Sequence, residues 1–197
     1  GNIWIGTQSG LYFFHAATRE LSPYPIGGHD NQKYDIRSLL LDGDHLWIGT
    51  YAKGIRVVNL RTGAVKVYTH SRGIPYTICS NDVLCFYRGR NGEIYVGTSW
   101  GLCRYDAAKD NFMPIINIGS MISITDMHED MYNHLWIATS SSGVFTYNTI
   151  NGHYKNYQHE REDSTTITSN SIITLFEDVK GTMWFGTNGG GLCSFDA

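Results

Sequence analysis

The stretch that decides the fold is Leu46-Trp47-Ile48-Gly49-Thr50, a short apolar segment that closes on Gly-Thr. It returns four more times along the chain, and each copy keeps an aromatic residue in its second position. The five aromatic anchors lie 43, 48, 41 and 48 residues apart, and they are Trp4, Trp47, Tyr95, Trp136 and Trp184. A period of this length is typical of a repeat in which each unit forms one small β-sheet.

The residues around each anchor divide in the same order. In the last unit a first strand is followed by the turn Asp178-Val179-Lys180-Gly181, the anchor strand, a Gly-bearing loop and a third strand that begins at Gly191. Gly in such turns supplies backbone conformations with positive φ. First strands are predicted over 36–41, 83–88, 124–129 and 172–177, and fourth strands over 65–68, 112–115 and 154–157. The five units are therefore predicted to hold three, four, four, four and three strands.

Small sheets of this kind cannot bury both faces alone, whereas radial stacking covers the faces and leaves only short edges. The sequence therefore predicts an all-β fold, a β-propeller built from four-stranded antiparallel blades, with the anchors filling the space between blades. About four and a half blades are predicted, in the units 1–30, 31–78, 79–119, 120–166 and 167–197. We expect the chain to be a fragment of a larger ring. Completion with another chain is the alternative.

Composition argues against several classes of function. Lys and Arg number 15 and Asp and Glu 18, for a formal charge of −3, so we expect no nucleic-acid partner for this chain. No run of 18 apolar residues is present, so a membrane would be reached only through a parent protein. Zinc-ligand spacings, phosphate loops and catalytic motifs are missing from the sequence, and we expect no metal, no cofactor and no catalytic residue. Because the chain opens directly on a turn and a strand, we expect it to begin inside a larger protein.

The four cysteines are expected to be structural. Cys103 and Cys193 occupy the same position of the repeat, just after Gly-Leu, which is the pattern of packed small apolar side chains. For Cys79 and Cys85 a disulfide is the main alternative.

The fullest copy of the repeat runs from Asn170-Ser171-Ile172-Ile173 to Glu177-Asp178 and continues through Gly181, Trp184-Phe185-Gly186-Thr187 and Gly189-Gly190-Gly191-Leu192. In this order of strand, turn, anchor and loop it resembles the two-component regulator propeller repeat. That family forms the periplasmic sensor region of hybrid two-component systems, typical of polysaccharide-degrading gut bacteria. The resemblance implies seven-bladed propellers, an inner-membrane parent with a histidine kinase, and detection of glycan fragments. The repeat motif is structural, so it carries no ligand residue across.

Propeller ligands usually meet one face near the axis, where loops carry the variable residues. Sugar recognition needs an aromatic face for stacking and planar polar groups for hydroxyls. We predict an oligosaccharide ligand, and the candidate residues are Trp100, Tyr51, Lys53, Arg72, Tyr76 and Asn188. Trp100 is the strongest of them, because the repeat does not require a Trp in that loop.

Two other functions stay open at this point. A propeller enzyme, such as a lyase or glycoside hydrolase, would need paired carboxylates or a His–acid set on the axial face, for which Asp35, Asp82 and Asp126 are available. A protein-interaction propeller would instead present a contiguous apolar patch. Signalling through a homodimer is a further possibility that the sequence leaves open.

Overall fold

The computed structural model describes residues 1–27, 33–115 and 121–195. Within these ranges the chain forms 18 β-strands in five antiparallel sheets, named A to E in chain order. Sheet A holds β1 (Ile3–Thr7), β2 (Gly10–His15) and β3 (Glu20–Tyr24). Sheet B holds β4 (Ile36–Asp42), β5 (His45–Thr50), β6 (Ile55–Asn59) and β7 (Val65–Tyr68).

The remaining sheets repeat this order. Sheet C holds β8 (Val83–Arg88), β9 (Ile94–Thr98), β10 (Gly101–Asp106) and β11 (Asn111–Pro114). Sheet D holds β12 (Ile124–Glu129), β13 (His134–Thr139), β14 (Val144–Asn148) and β15 (Tyr154–Tyr157). Sheet E holds β16 (Ile172–Glu177), β17 (Met183–Thr187) and β18 (Leu192–Phe195). The predicted order of three, four, four, four and three strands is confirmed.

The strand limits follow the repeat closely. Five of the seven predicted first and fourth strands have the predicted bounds. The other two differ by one residue: β4 extends to Asp42, and β11 is Asn111–Pro114 where 112–115 was predicted. Fraying of short strand ends accounts for differences of this size. The boundaries between units stay predictions, and those near 30 and 119 lie outside the described residues.

The sheets are arranged side by side around a common centre, because the first strands of neighbouring sheets pack on one another: β4 against β8, β8 against β12, and β12 against β16. Four apolar clusters each join residues of two neighbouring sheets. Trp47, Tyr95 and Trp136 sit in three of these clusters and are 4%, 1% and 3% exposed. These three anchors therefore fill the space between blades, as predicted. Trp4 and Trp184, in the two outer sheets, are only half-buried.

The glycine of the anchor motif is explained by the inner strands of its own blade and of the next blade. A Cβ on Gly49 would collide with the Ser38 hydroxyl of sheet B and lie 2.7 Å from Val83 of sheet C. One on Gly97 would lie 2.5 Å from Cys85 Sγ of sheet C and 2.8 Å from Ile124 of sheet D. Real Cβ atoms do not approach that closely, so glycine lets the neighbouring inner strand come in. Every inner strand, β4, β8, β12 and β16, also carries a register shift near its start, which bends it.

The two ends of the row of sheets expose apolar side chains. Ile3 and Leu21 of sheet A are 53% and 57% exposed, and Phe176 and Leu192 of sheet E are 63% and 65% exposed. Tyr87, which matches Phe176 in sheet C, instead packs against the apolar cluster between sheets C and D. Uncovered faces of this kind fit both the predicted larger ring and completion with another chain. All four cysteines are free, so the alternative of a Cys79–Cys85 disulfide is not realised.

Candidate ligand-binding site

Loops that join strands two and three, and those that lead from one sheet into the next, lie at the same end of the antiparallel sheets. This end is called here the long-loop face, and it comprises 51–54, 70–82, 99–100, 140–143, 159–171 and 188–191. Backbone bonds join the two kinds of loop: Tyr51 N donates to Asp35 O at 2.8 Å, and Gly54 N donates to Asn81 O at 2.9 Å. The long-loop face is therefore a bonded surface whose shape is fixed by the blades below.

Two of its loops are copies of one twelve-residue design, 70–81 and 159–170. In the first, the His70 ring donates to the carbonyl of Ile78 at 2.8 Å, and the Asn81 side chain accepts from His70 N at 2.7 Å. In the second, His159 and Asn170 make the same two bonds at the same distances. These histidines therefore hold loops in shape. The duplication could have been found in the sequence, since both loops end on Thr-Ile-x-Ser-Asn.

The carboxylates considered for an enzyme each have a structural partner, and two of the three join neighbouring blades. Asp82 of sheet C accepts from the backbone N of Ala52, in a loop of sheet B, at 2.6 Å. Asp126 of sheet D accepts from Leu175 N of sheet E at 2.8 Å. Asp35 pairs with Arg37 at 2.8 Å. Each has a structural partner, which weakens the case for an acid–base pair among them.

Trp100, Tyr51 and Lys53 all lie on the long-loop face. Trp100 is 56% exposed, and its ring centroid lies 6.4 Å from that of His70. Tyr51 is 53% exposed, with the Arg37 guanidinium 5.3 Å from its ring centre. Lys53 donates to the carbonyl of Lys33 at 3.1 Å, so this amine also braces a neighbouring loop. Aromatic faces and cations are thus available for a ligand, but they belong to loops of two different sheets.

The other three candidates are more dispersed. Tyr76 is 53% exposed, and its carbonyl accepts from Phe112 N of β11, which places it at the outer edge of sheet C and away from the inner strands. Arg72 is exposed in the same loop, and Asn188 is exposed on sheet E, where its backbone N donates to Ser171 O. The structure does not gather all six candidates into one pocket. Their part in binding stays a prediction.

A cavity that the sequence did not indicate lies on the opposite face, between sheets B and C. This B–C cleft has a volume of about 420 Å³ and is lined by Asp42, His45, Trp47, Val57, Asn59, Ala64, Val65, Lys66, Tyr68 and Tyr105. Its aromatic wall is ordered, because the Trp47 and Tyr68 rings are parallel within 3° and Tyr105 meets Trp47 edge-on at 4.9 Å. Nine of the ten lining residues belong to the blade of sheet B, and Tyr105 belongs to sheet C.

One acidic side chain ties the rim of the B–C cleft together. Asp110, in a turn of sheet C, accepts from the Tyr68 and Tyr105 hydroxyls at 2.5 and 2.8 Å and pairs with Lys66 of sheet B. The bonds from Lys66 and Tyr68 lower the pKa of Asp110 from 3.8 to about 2. Burial, helped by the bond to Asp110, raises the pKa of Tyr68, so its hydroxyl keeps its proton. Asp110 adopts a φ of 55°, in the left-handed region that favours glycine. The equivalent positions in the turns of sheets B and D are Gly63 and Gly152.

Trp47 is the unusual residue of the B–C cleft. Within the described ranges no acceptor lies within hydrogen-bonding distance of its buried indole N–H. The Trp136 and Trp184 indoles each donate to an aspartate six residues earlier, Asp130 at 2.8 Å and Asp178 at 3.1 Å. In sheet B the turn is only Gly43-Asp44, so the position six residues before Trp47 is Leu41. The shortened turn was the sequence signal that sets this blade apart, but the loss of the indole's acceptor is seen only in the structure.

Metal and membrane features are limited. Among the residues that the structure describes, no group of three or more His, Cys, Asp and Glu could hold a metal ion. Within the same residues, no helix has the length and hydropathy needed to cross a membrane.

Comparison with known proteins agrees with the fold. Residues 166–189 match the family model of the two component regulator propeller. A histidine kinase P4 of Formosa agariphila is 35% identical over 75 residues, which are 38% of this chain and 5% of that protein. The extracellular domain of a protein assigned as a hybrid two component system of B. thetaiotaomicron superposes over 97% of this chain with a TM-score of 0.81 and 25% identity. This chain covers 24% of that domain.

A propeller enzyme also shares the architecture. A virginiamycin B lyase from Staphylococcus aureus, solved in a catalytically inactive form with quinupristin, superposes over 85% of this chain and 57% of its own with a TM-score of 0.60 and 15% identity. Identity at this level shows the fold alone. The chain is thus a β-propeller that carries a two component regulator propeller repeat at residues 166–189 and is similar to the extracellular domain of a hybrid two component system.

Proposed function

We propose that this chain is a non-enzymatic sensing module of a hybrid two-component signalling protein, located outside the cytoplasm, and that it detects glycan fragments. The observation that carries the proposal is the superposition with an extracellular domain of that class over 97% of the chain, at 25% identity. The match of residues 166–189 to the regulator propeller model supports the same class. The periplasm and an inner-membrane anchor in the parent protein are the finer parts of this proposal.

The chemistry of the long-loop face supports a carbohydrate ligand. Trp100 and Tyr51 offer exposed aromatic faces, on which the apolar side of a sugar ring stacks. Lys53 and Arg72 offer hydrogen-bond donors for hydroxyl or carboxylate oxygens. The loops that carry them are bonded to the blades, so little conformational entropy is lost when a ligand binds.

Binding of a panel of plant and algal oligosaccharides, measured by titration calorimetry, tests the proposal. We expect one glycan class to bind and Trp100→Ala to weaken its affinity about tenfold or more, because a stacking aromatic contributes on the order of 1–3 kcal/mol in comparable sites. Tyr132→Ala is the matched control, since Tyr132 is 61% exposed in a turn on the opposite face. The long-loop face would be rejected as the site if both variants lost affinity equally, and glycan detection if no glycan bound.

Product analysis separates the enzymatic alternative, which the lyase fold leaves open, from the sensing proposal. The same oligosaccharides are incubated with the chain and examined for cleavage by chromatography and mass spectrometry. We expect intact ligand, because Asp35, Asp82 and Asp126 are occupied by structural bonds. Turnover would replace the sensing proposal by an enzymatic one. A stable complex with a protein and with no glycan would favour the interaction propeller.

A further inference from the structure

We propose that the B–C cleft is a second binding site, for a small neutral polyhydroxylated molecule such as a monosaccharide or a cyclic polyol, held by the indole N–H of Trp47. The site is distinct from the long-loop face and does not rest on the proposed sensing function. Its volume of about 420 Å³ falls within the range of about 300–1,000 Å³ that small-molecule sites occupy.

The unpaired indole is the first observation that points to a ligand. Trp47 is 4% exposed and lines the cleft, and its N–H has no acceptor within residues 1–27, 33–115 and 121–195. Leaving a buried donor unpaired costs about 1–3 kcal/mol. The indoles of Trp136 and Trp184 point their N–H groups at the turn before the anchor strand, where an aspartate accepts them. In sheet B the turn is shorter, and the described residues offer the Trp47 indole no such acceptor.

The remaining polar groups select the chemistry of the ligand. Asp42 presents a carboxylate that can accept, and Lys66 has further N–H groups that can donate. A set that mixes donors and acceptors matches hydroxyl groups, which do both. The parallel Trp47 and Tyr68 rings supply the apolar wall against which the C–H groups of a ring lie.

Charge balance favours a neutral ligand over a strongly ionic one. Asp42 pairs with Arg88 at 3.1 Å, and Lys66 pairs with Asp110. Each charge at the rim thus has a partner of opposite sign, and an ionic ligand would have to displace one of them. A neutral ligand leaves both ion pairs intact.

The equivalent cleft between sheets D and E explains why the site is specific to sheets B and C. That cleft is larger, about 550 Å³, and is lined by Trp136, Tyr157 and Phe195 at the positions of Trp47, Tyr68 and Tyr105. Its indole N–H is already bonded to Asp130, and Phe195 carries no hydroxyl. The D–E cleft therefore has the same aromatic wall without the free donor, and it serves as an internal control.

Titration by NMR tests the proposal on this chain. D-glucose, D-galactose, D-mannose and myo-inositol are added separately, with D-glucuronate as the charged contrast, while the indole N–H signals are followed. Trp47→Phe assigns the signal of Trp47. We expect at least one neutral probe to shift that signal saturably while the Trp136 signal stays in place. The site is refuted if no neutral probe moves the Trp47 signal, if all indole signals move together, or if glucuronate alone binds.

Affinity in variants then tests the role of the donor. Trp47→Phe keeps the aromatic wall and removes the N–H, and it should weaken binding about tenfold. Trp136→Phe is the matched control and should leave affinity unchanged. Circular dichroism establishes that each variant is folded; if Trp47→Phe does not fold, Asp42→Ala replaces it and should weaken binding several-fold. Wild-type affinity in Trp47→Phe, or in its replacement, overturns the proposal, as does an equal loss in Trp136→Phe.

Discussion

The B–C and D–E interfaces use the same repeat positions but satisfy their central tryptophan differently. In both, a buried indole lies nearly parallel to a tyrosine of the fourth strand: Trp47 and Tyr68 are 6.1 Å apart, and Trp136 and Tyr157 are 5.9 Å apart. Between D and E the indole N–H is held by Asp130 of its own blade. Between B and C that bond is missing among the described residues, and the polar links run between blades, through Asp110.

This difference teaches that the packing of the repeat and its hydrogen bonding are separable. Aromatic packing tolerates the loss of the aspartate, because dispersion and burial do not depend on the indole N–H. In sheet B the matching aspartate, Asp42, lies five residues before the anchor and not six, and this shift of one position is enough to change the polar part.

Asp130→Ala should break the D–E interface most severely. Asp130 is 4% exposed and accepts from Trp136 Nε1, Tyr132 N and His134 N, each at 2.8 or 2.9 Å. Its removal leaves three donors without their acceptor, and we expect a loss of about 2–4 kcal/mol in the free energy of unfolding. Asp42→Ala, the matched change in sheet B, removes a half-exposed ion pair and should cost about 0–1 kcal/mol. Urea unfolding measures both, and equal losses would contradict the comparison.

Conservative changes at the two tryptophans should differ in what the loss of the indole N–H costs in the free energy of unfolding. Trp136→Phe leaves the buried carboxylate of Asp130 without its indole partner and should cost about 1–3 kcal/mol beyond the lost volume. Trp47→Phe removes a donor that had no partner and should cost only the lost packing. The free energies of unfolding of the two variants, compared with wild type, give the difference directly. A larger cost at Trp47 would show that its N–H is well satisfied in the free protein.

Tyr105→Phe makes the B–C interface resemble D–E, where Phe195 stands at the same position. The change removes the hydroxyl that donates to Asp110 at 2.8 Å and leaves the ring against Trp47. We expect a loss of about 0.5–1.5 kcal/mol in the free energy of unfolding, the usual contribution of one hydrogen bond. Thermal unfolding of the two proteins checks it. An unchanged midpoint would mean that solvent replaces the hydroxyl at no cost.

The smallest effect is a pH dependence at Asp110. Its pKa is lowered in the folded protein by Lys66 and Tyr68, so the folded state binds fewer protons than the unfolded state. The stabilisation from these bonds is present above pH 3.8 and is lost as the pH falls towards 2. Because Asp110 is 43% exposed, solvent screening keeps the effect small. The stability difference between wild type and Asp110→Asn should therefore shrink over this range in acid unfolding; a constant difference would contradict the assignment.

The candidate site was predicted less completely than the fold. Trp100 and Tyr51 could be chosen from the sequence, because an exposed aromatic in a loop stands out against a repeat that does not need it. The placement of Tyr76 at the outer edge of sheet C could not, since it depends on a bond to Phe112, 36 residues later in the chain. The B–C cleft was missed for the same reason: Lys66 and Asp110 belong to different blades and meet only when the blades stack.

The number, order and approximate limits of the strands follow from the sequence, because the period-two pattern, the aromatic anchors and the turn glycines are local and recur in every unit. Which polar groups find partners depends instead on how the blades pack. The Trp47 indole loses its acceptor through a shift of one position, and Asp110 gains Lys66 from the preceding blade. Such outcomes depend on the distances between blades, and a linear pattern of residue types does not specify them.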